Sequence, residues 1–161
     1  MYRISILAAL MFAMPSAVPA CTSAEWPRES LLKLKADGFL VSEDAGRQRV
    51  IDQLAACLVS PDPELRDGIA YEGLSAMLRN NALDAQQLRN LRTMLYAQLT
   101  AEDADGVARP FAALLLSEVA RTDRIASWMD DAERAEMLAR AIDYMESVRD
   151  YRGYDPVVGW R

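Results

Sequence analysis

One stretch of the sequence, residues 48–78 (QRVIDQLAACLVSPDPELRDGIAYEGLSAML), constrains the fold more than any other. Apolar side chains recur at helical spacing as far as Leu58, a Ser-Pro-Asp-Pro break follows, and a second helical pattern starts at once. Asp62 is placed to accept N–H groups of the second helix, and Pro63 suits its first position. Because the connection is only about four residues long, the two helices must pack antiparallel as a hairpin.

A second hairpin of the same kind is predicted further along the chain. Asp84 and Gln87 form a capping-box pair at the start of a helix, and a polar loop then leads to a helix that restarts at Pro110. Matching Leu58 with Leu99 gives an offset of 41 residues. A helix-pair period of about 40–47 residues is typical of HEAT and armadillo arrays. The sequence therefore predicts an all-α fold, a short α-solenoid of antiparallel helix hairpins, with an irregular helical bundle as the alternative.

Further helices are predicted on both sides of these hairpins. A short helix over residues 26–37 should end in a left-handed turn at Gly38, and Ser42 is the predicted N-cap of the helix over residues 43–59. Residues 111–120 are apolar nearly all round, which predicts a helix buried between layers. A last helix is predicted to begin after Asp130, with Glu133 completing its capping box.

The first 20 residues have the pattern of a secretory signal peptide. Arg3 precedes a short apolar run, and the segment ends in small residues before Cys21. The run is too short to span a bilayer, which needs about 20 apolar residues. Residues 1–20 are therefore predicted to be a signal peptide, and residues 21–161 a single exported domain with an irregular C-terminal segment at residues 151–161.

The two cysteines leave more than one possibility open. Cleavage after Ala20 would make Cys21 the first mature residue, and the residues before it partly resemble the lipoprotein box, so Cys21 is either lipidated or the start of a soluble periplasmic chain. Export also permits a disulfide between Cys21 and Cys57. Cys57 lies on the apolar face beside Leu54 and Leu58, where cysteine commonly behaves as a small hydrophobe, so a free, packed Cys57 is favoured.

Composition restricts the chemistry and the partners. Without residues 1–20, which contain one arginine, 17 basic and 24 acidic residues remain, giving a net charge of −7 that argues against nucleic acid as a partner. The chain has no histidine, and it has no cysteine cluster and no phosphate-binding glycine loop. No metal site and no cofactor are therefore predicted.

Four phrases of the sequence resemble one bacterial family, the domain of unknown function 2785. They are residues 60–72 (SPDPELRDGIAYE), 109–113 (RPFAA), 116–124 (LSEVARTDR) and 148–156 (VRDYRGYDP). The resemblance covers residues 26–161 and implies an all-helical fold, but the family carries no established activity. Its members continue past residues 159–161 with a histidine-containing helix, so a truncated product or a fragment is expected, with an exposed stripe of Ile142, Met145 and Val148 on the last helix.

A first set of candidate site residues is polar but falls on apolar helix faces. Arg66, Asp67 and Glu118 have apolar neighbours on the helical wheel, and lone charges there would cost several kcal/mol, so they should be paired. With Arg121 they are predicted to form a structural ladder between hairpins. The alternative is a polar site with Asp67 or Glu118 as a carboxylate of shifted pKa.

A second set lies in the aromatic C-terminal segment. Arginine and aromatic residues gathered in a loop are enriched at interfaces, and Gly153 would permit a tight turn there. The candidate binding residues are Arg149, Asp150, Tyr151, Arg152, Tyr154, Asp155 and Trp160. The alternative is a structural loop packed on the last helix.

These features favour an exported, non-enzymatic helical scaffold that binds a protein or peptide. One rival is a carboxylate-based hydrolase that uses Glu118, Asp67 or Asp155, for which two carboxylates about 5–10 Å apart in a cleft would be needed. Another rival is a lipid-anchored structural protein of the envelope, which would depend on lipidation of Cys21.

Overall fold

The computed structural model describes residues 21–149, 153–157 and 159–160. The predicted signal peptide at residues 1–20 lies outside the described residues. The helices are α1 (Arg28–Ala36), α2 (Asp44–Cys57), α3 (Pro63–Leu65), a π-helical segment (Arg66–Tyr71), α4 (Glu72–Arg79), α5 (Ala85–Thr100), α6 (Ala108–Ile125) and α7 (Asp131–Ser147). The predicted all-α fold is confirmed. Two strands of two residues each, β1 (Tyr154–Asp155) and β2 (Gly159–Trp160), pair antiparallel where an irregular segment was predicted.

The central hairpin forms as predicted, but its second helix is not regular. Asp62 is the N-cap and accepts the N–H of Glu64 at 2.9 Å, with Pro63 at the first helical position. α3, the π-helical segment and α4 follow one another without a break, and together they are called the α3–α4 rod (residues 63–79). In its wide turn Lys35 Nζ donates to the carbonyl of Gly68 at 2.8 Å, and the N–H of Glu72 bonds instead to the carbonyl of Asp67.

Most of the predicted helix ends are confirmed. Asp84 and Asp130 each form the predicted capping box, and Gly38 has a φ of 70° after α1. Ser42 was wrong as an N-cap, since Glu43 holds that position before α2. The buried helix predicted over residues 111–120 is also only partly right, because Leu114 on the outer side of α6 is 47% exposed.

Hydrogen bonds between helices show that α2, α5 and α7 form one row of neighbours. Gln87 Nε2 donates to the carbonyl of Asp44 at 3.3 Å and Gln98 Nε2 to that of Ala55 at 2.7 Å, and each bond joins residues 43 positions apart. Because the same offset holds near both ends, α2 and α5 run parallel. α7 is a neighbour of α5: Arg92 and Arg89 both donate to Glu133 at the start of α7, and further along the helix the Arg140 guanidinium lies 4.4 Å from the ring centre of Tyr96, 44 positions away.

A second row contains α1, the α3–α4 rod and α6. Arg79 Nε donates to Glu118 at 3.0 Å, and Arg121 Nη2 donates to the carbonyl of Leu78 at 3.1 Å, so α4 and α6 are neighbours. α1 lies on the other side of the rod, where Lys35 reaches Gly68. α5 and α6 pack closely on each other, as predicted, and the core between the rows is built mainly from leucine side chains of α2, the rod, α5 and α6.

The two cysteines form a disulfide, so the prediction of a free Cys57 was wrong. Cys57 is fully buried on α2, as its apolar neighbours indicated, but Cys21 reaches it across 36 positions of sequence. Gln53 Nε2 on α2 also donates to the carbonyl of Cys21. The periodicity of α2 correctly placed Cys57 in the core but carries no information about where the N-terminal segment runs.

Candidate functional site

Arg66 is the most completely buried charge among the described residues. Its side chain is 0% exposed, its Nε lies 2.6 Å from Asp67 Oδ1, and its Nη1 donates to the carbonyl of Ser60 at 3.2 Å. The guanidinium also lies 5.2 Å from the ring centre of Phe111 on α6. Arg66 thus ties the Ser-Pro-Asp-Pro turn, the rod and α6 together, which is a packing role.

Glu118 lies on the seam between α4 and α6 rather than in a cleft. Arg79 donates to it from α4 and Arg121 from one turn further along α6. The hydrogen bond from Arg79 lowers the pKa of the Glu118 carboxyl, with help from Arg121 and against the opposing effect of burial. Glu118 is therefore held as a paired carboxylate. Arg66 pairs with Asp67 and Arg121 pairs with Glu118, and a ladder that joins these two pairs stays a prediction.

A third polar cluster, at the start of α7, was not predicted. Arg89 and Arg92 on α5 both donate to Glu133, at 2.9 and 2.8 Å, and both guanidinium groups lie beside the ring of Trp128. The Arg89 hydrogen bond, together with the backbone N–H of Asp130 and with Arg92, lowers the pKa of Glu133 to about 2. Glu133 serves both the capping box of α7 and the attachment of α7 to α5.

Asp123 at the end of α6 secures the turn into α7. Its carboxylate accepts the N–H groups of Trp128 and Met129 at 2.8 and 2.7 Å, and Arg134 Nε donates to it at 2.8 Å. The Arg134 hydrogen bond and these backbone donors lower the pKa of Asp123 to about 2, although its burial acts in the opposite direction. Asp123 therefore fixes how α7 leaves α6.

The low pKa of Asp123 predicts a loss of stability in acid. Because its folded-state pKa lies below the ordinary value of 3.8, Asp123 stabilises the fold above about pH 4, and this contribution of about 2 kcal/mol is lost as the pH falls towards 2. We expect Asp123→Asn to lose part of the acid dependence of the free energy of unfolding, measured by urea titration. Asp131→Asn is the matched control, since Asp131 also pairs with Arg134 but is fully exposed. An unchanged acid dependence in Asp123→Asn would contradict the assignment.

The far end of α7 is attached to the body by Arg109 at the start of α6. Arg109 Nη2 donates to Ser147 Oγ at 2.6 Å, and its guanidinium lies 5.5 Å from the ring centre of Tyr144. Burial raises the pKa of the Tyr144 hydroxyl. A cavity of about 270 Å³ opens here between the ends of three helices, lined by Leu99, Thr100, Arg109, Arg140, Asp143, Tyr144 and Ser147.

The opposite side of α7 exposes three large apolar side chains. Leu138, Ile142 and Met145 are 63%, 41% and 64% exposed. They follow the spacing of one helix face, with the small exposed residues Ala135 and Ala139 beside them. α7 has no buried residue, whereas every other helix of eight or more residues has at least one buried apolar side chain in the core. We call Ala135, Leu138, Ala139, Ile142 and Met145 the outer face of α7. The predicted exposure of Ile142 and Met145 is confirmed, but Val148 is half-buried.

The predicted binding segment after α7 is described only in part. Asp150, Tyr151 and Arg152 lie outside the described residues, and for Asp155 and Trp160 only the backbone pairing of β1 with β2 is described. Tyr154 is exposed opposite Trp160 in that pairing, and Arg149 donates to the carbonyl of Val148 at 2.8 Å. Binding by these seven residues stays a prediction.

The described residues contain no group of three or more acidic or cysteine side chains that could hold a metal ion. Within the same part of the chain, no helix combines the length and the apolar character that crossing a membrane requires.

Comparison with known proteins gives one match. The family model described as "Protein of unknown function (DUF2785)" matches residues 95–161, from the middle of α5 onwards. This match confirms the predicted resemblance over residues 95–161, which contain three of the four phrases, whereas the phrase at residues 60–72 lies outside the matched range. The family description carries no activity. Neither the curated proteins nor the solved structures gave a match.

Proposed function

We propose that this protein is an exported, HEAT-like helical scaffold that binds a protein or peptide at the end of its helix stack. The observation that carries the proposal is the outer face of α7, where three large apolar side chains lie exposed on a helix with no buried residue. Soluble proteins rarely leave such a contiguous apolar face uncovered unless it contacts another molecule. The attachment of α7 through arginine contacts at both ends holds this face in a defined position.

The HEAT-like assignment is supported by the regular offsets between neighbouring helices. Contacts from α2 to α5, from α5 to α7 and from α4 to α6 join residues 39–44 positions apart. A nearly constant offset is the pattern expected of a stack in which each helix pair repeats the one before it, displaced by one layer. Such stacks bind partners along extended surfaces rather than in deep pockets.

Export is supported by the disulfide between Cys21 and Cys57. Disulfides persist in oxidising compartments such as the periplasm and are rare in the cytosol. The disulfide also bears on the lipidation of Cys21. A sulfur atom that is bonded to Cys57 cannot at the same time carry a lipid, so a soluble periplasmic form is proposed, with the lipid-anchored form as its exclusive alternative.

Site-specific photocrosslinking in the native compartment tests the proposed binding surface. We expect a photoreactive amino acid at Leu138 to give discrete adducts with another protein, because this position lies in the centre of the outer face of α7. The matched control places the same probe at Leu40, which is 79% exposed and follows α1 at the other end of the stack. Identical adducts from both positions, or no adduct at Leu138, would contradict the proposal.

A further inference from the structure

The outer face of α7 has the shape that another helix fits. Leu138, Ile142 and Met145 are spaced as one ridge along the helix, and the alanines at 135 and 139 leave a shallow groove beside it. Helices pack by inserting such ridges into the grooves of a neighbour, with axes about 8–10 Å apart. Within the described residues, α2 packs on the α3–α4 rod and α5 packs on α6, but no helix packs in this way on the outer face of α7.

The charges beside this face indicate the sign of the partner. Glu146 lies one turn after Ile142, and Asp143 lies one turn after Ala139, where it also borders the cavity that Arg109 and Arg140 line. Both residues are exposed, and no hydrogen bond or ion pair of either carboxylate is described. Asp131 is exposed at the start of the helix, where it contacts only Arg134. Arg134 and Arg140 are already paired with acidic residues. Arg149, beyond the end of the helix, is bonded to backbone carbonyls. The edge is therefore acidic and attracts a basic partner.

The same charges disfavour a second copy of this chain on the outer face. An antiparallel pairing of two α7 helices about an axis near Leu138 would place Asp131 of one copy opposite Glu146 of the other. The protein as a whole is also acidic, with a net charge of −6 at pH 7. Like charges brought together at an interface weaken the association.

We propose that the outer face of α7 binds a single amphipathic helix of another protein, with large apolar side chains along one face and lysine or arginine beside them. This inference rests on the proposed binding function and names the class of partner. The apolar side chains of the partner would cover Leu138, Ile142 and Met145, and its basic residues would lie against Asp143 and Glu146. This is the helix-in-groove mode of recognition, in which apolar anchors provide affinity and flanking charges select the partner.

The test uses synthetic peptides and the mature chain with its disulfide intact. The first peptide has about 18 residues, leucines at helical spacing on one face and lysines on both sides of them. The second has glutamates in place of the lysines, and the third has the composition of the first in scrambled order. Binding is measured by fluorescence anisotropy against the wild-type chain and three variants, namely Ile142→Asp, Leu40→Asp and the double variant Asp143→Lys with Glu146→Lys.

We expect the basic helical peptide to bind about fivefold to tenfold more tightly than the acidic one, the factor that two exposed charge pairs provide. Ile142→Asp should weaken this binding at least about tenfold, whereas Leu40→Asp should leave it unchanged. The double charge reversal should abolish the preference for the basic peptide, and the scrambled peptide should bind no better than the acidic one. Circular dichroism checks that each variant is folded.

Several outcomes would overturn the inference. Failure of the basic peptide to bind, equal binding of all three peptides, or binding that survives Ile142→Asp would each do so. A wild-type dimer in sedimentation equilibrium that Ile142→Asp dissociates would show that a second copy occupies the face instead. If the peptides fail while the probe at Leu138 still crosslinks a protein, the proposed function stands and only the class of partner is wrong.

Discussion

Replacing Arg66 with alanine is expected to lower the free energy of unfolding by about 3–5 kcal/mol, a large part of the 5–15 kcal/mol typical of a domain. Arg66 is fully buried, and its guanidinium contacts Asp67, the carbonyl of Ser60 and the ring of Phe111. The substitution leaves a cavity between the rod and α6 and leaves the buried carbonyl without this donor. Urea titration monitored by circular dichroism gives the value.

Arg140→Ala is the matched control for this prediction. Arg140 is also paired with a carboxylate, that of Glu136, and also lies over an aromatic ring, 4.4 Å from the centre of Tyr96. Its side chain is partly exposed, however, so its loss should cost less than about 1 kcal/mol. Equal losses in the free energy of unfolding for the two substitutions would contradict the stabilising effect assigned to the burial of Arg66.

Reducing the disulfide is expected to lower the stability by about 3–4 kcal/mol. The bond between Cys21 and Cys57 closes a loop across 36 positions, and releasing this loop gives the unfolded chain more conformations. For a domain of this size the loss corresponds to a fall in Tm of about 10–20 °C. Differential scanning calorimetry with and without dithiothreitol measures it.

Cys21→Ala separates loss of the crosslink from loss of packing. Cys57 is fully buried and its replacement would also disturb the core, whereas Cys21 is only half-buried. The Cys21→Ala variant should melt at the temperature of the reduced wild type, and dithiothreitol should not lower its Tm further. A wild type whose Tm is unaffected by reduction would show that the bond does not form in solution.

The helix ends were predictable because their signals are local. The capping boxes at Asp84 and Asp130 and the left-handed turn at Gly38 each depend on residues within one turn of the chain. The buried stripe of α5 follows from its helical period in the same way. The wide turn of the rod could not be predicted from local signals. At this turn the carbonyl of Gly68 accepts a hydrogen bond from Lys35, which lies 33 positions away in the sequence.

Contacts between helices were harder to predict because they depend on how neighbouring helices are aligned. Arg66 and Asp67 are sequence neighbours, and their pairing was predicted and found. Arg92 and Glu133 form a pair that was missed, although they lie 41 positions apart, the same offset that relates Leu58 to Leu99. Applying the repeat offset to charged residues as well as to leucines would have indicated this pair.

The candidate surface was anticipated only in outline. The family resemblance implied an exposed stripe on the last helix that includes Ile142 and Met145, and both side chains are exposed. Leu138, one turn before Ile142, is exposed as well. The sequence could not show that α7 lacks a fully buried side chain, because Met137 and Tyr144 look like ordinary core residues. Both pack against the core only partly buried, and arginine contacts at the two ends of α7 add to this attachment.

Amide hydrogen exchange of the mature chain, with and without the basic helical peptide, tests the central claim most directly. If the outer face of α7 is the binding surface, the peptide should slow exchange in α7 (Asp131–Ser147) and leave α1 (Arg28–Ala36) unchanged. Protection that appears in α1, or in other helices while exchange in α7 is unchanged, would contradict the claim that this end of the stack binds the partner.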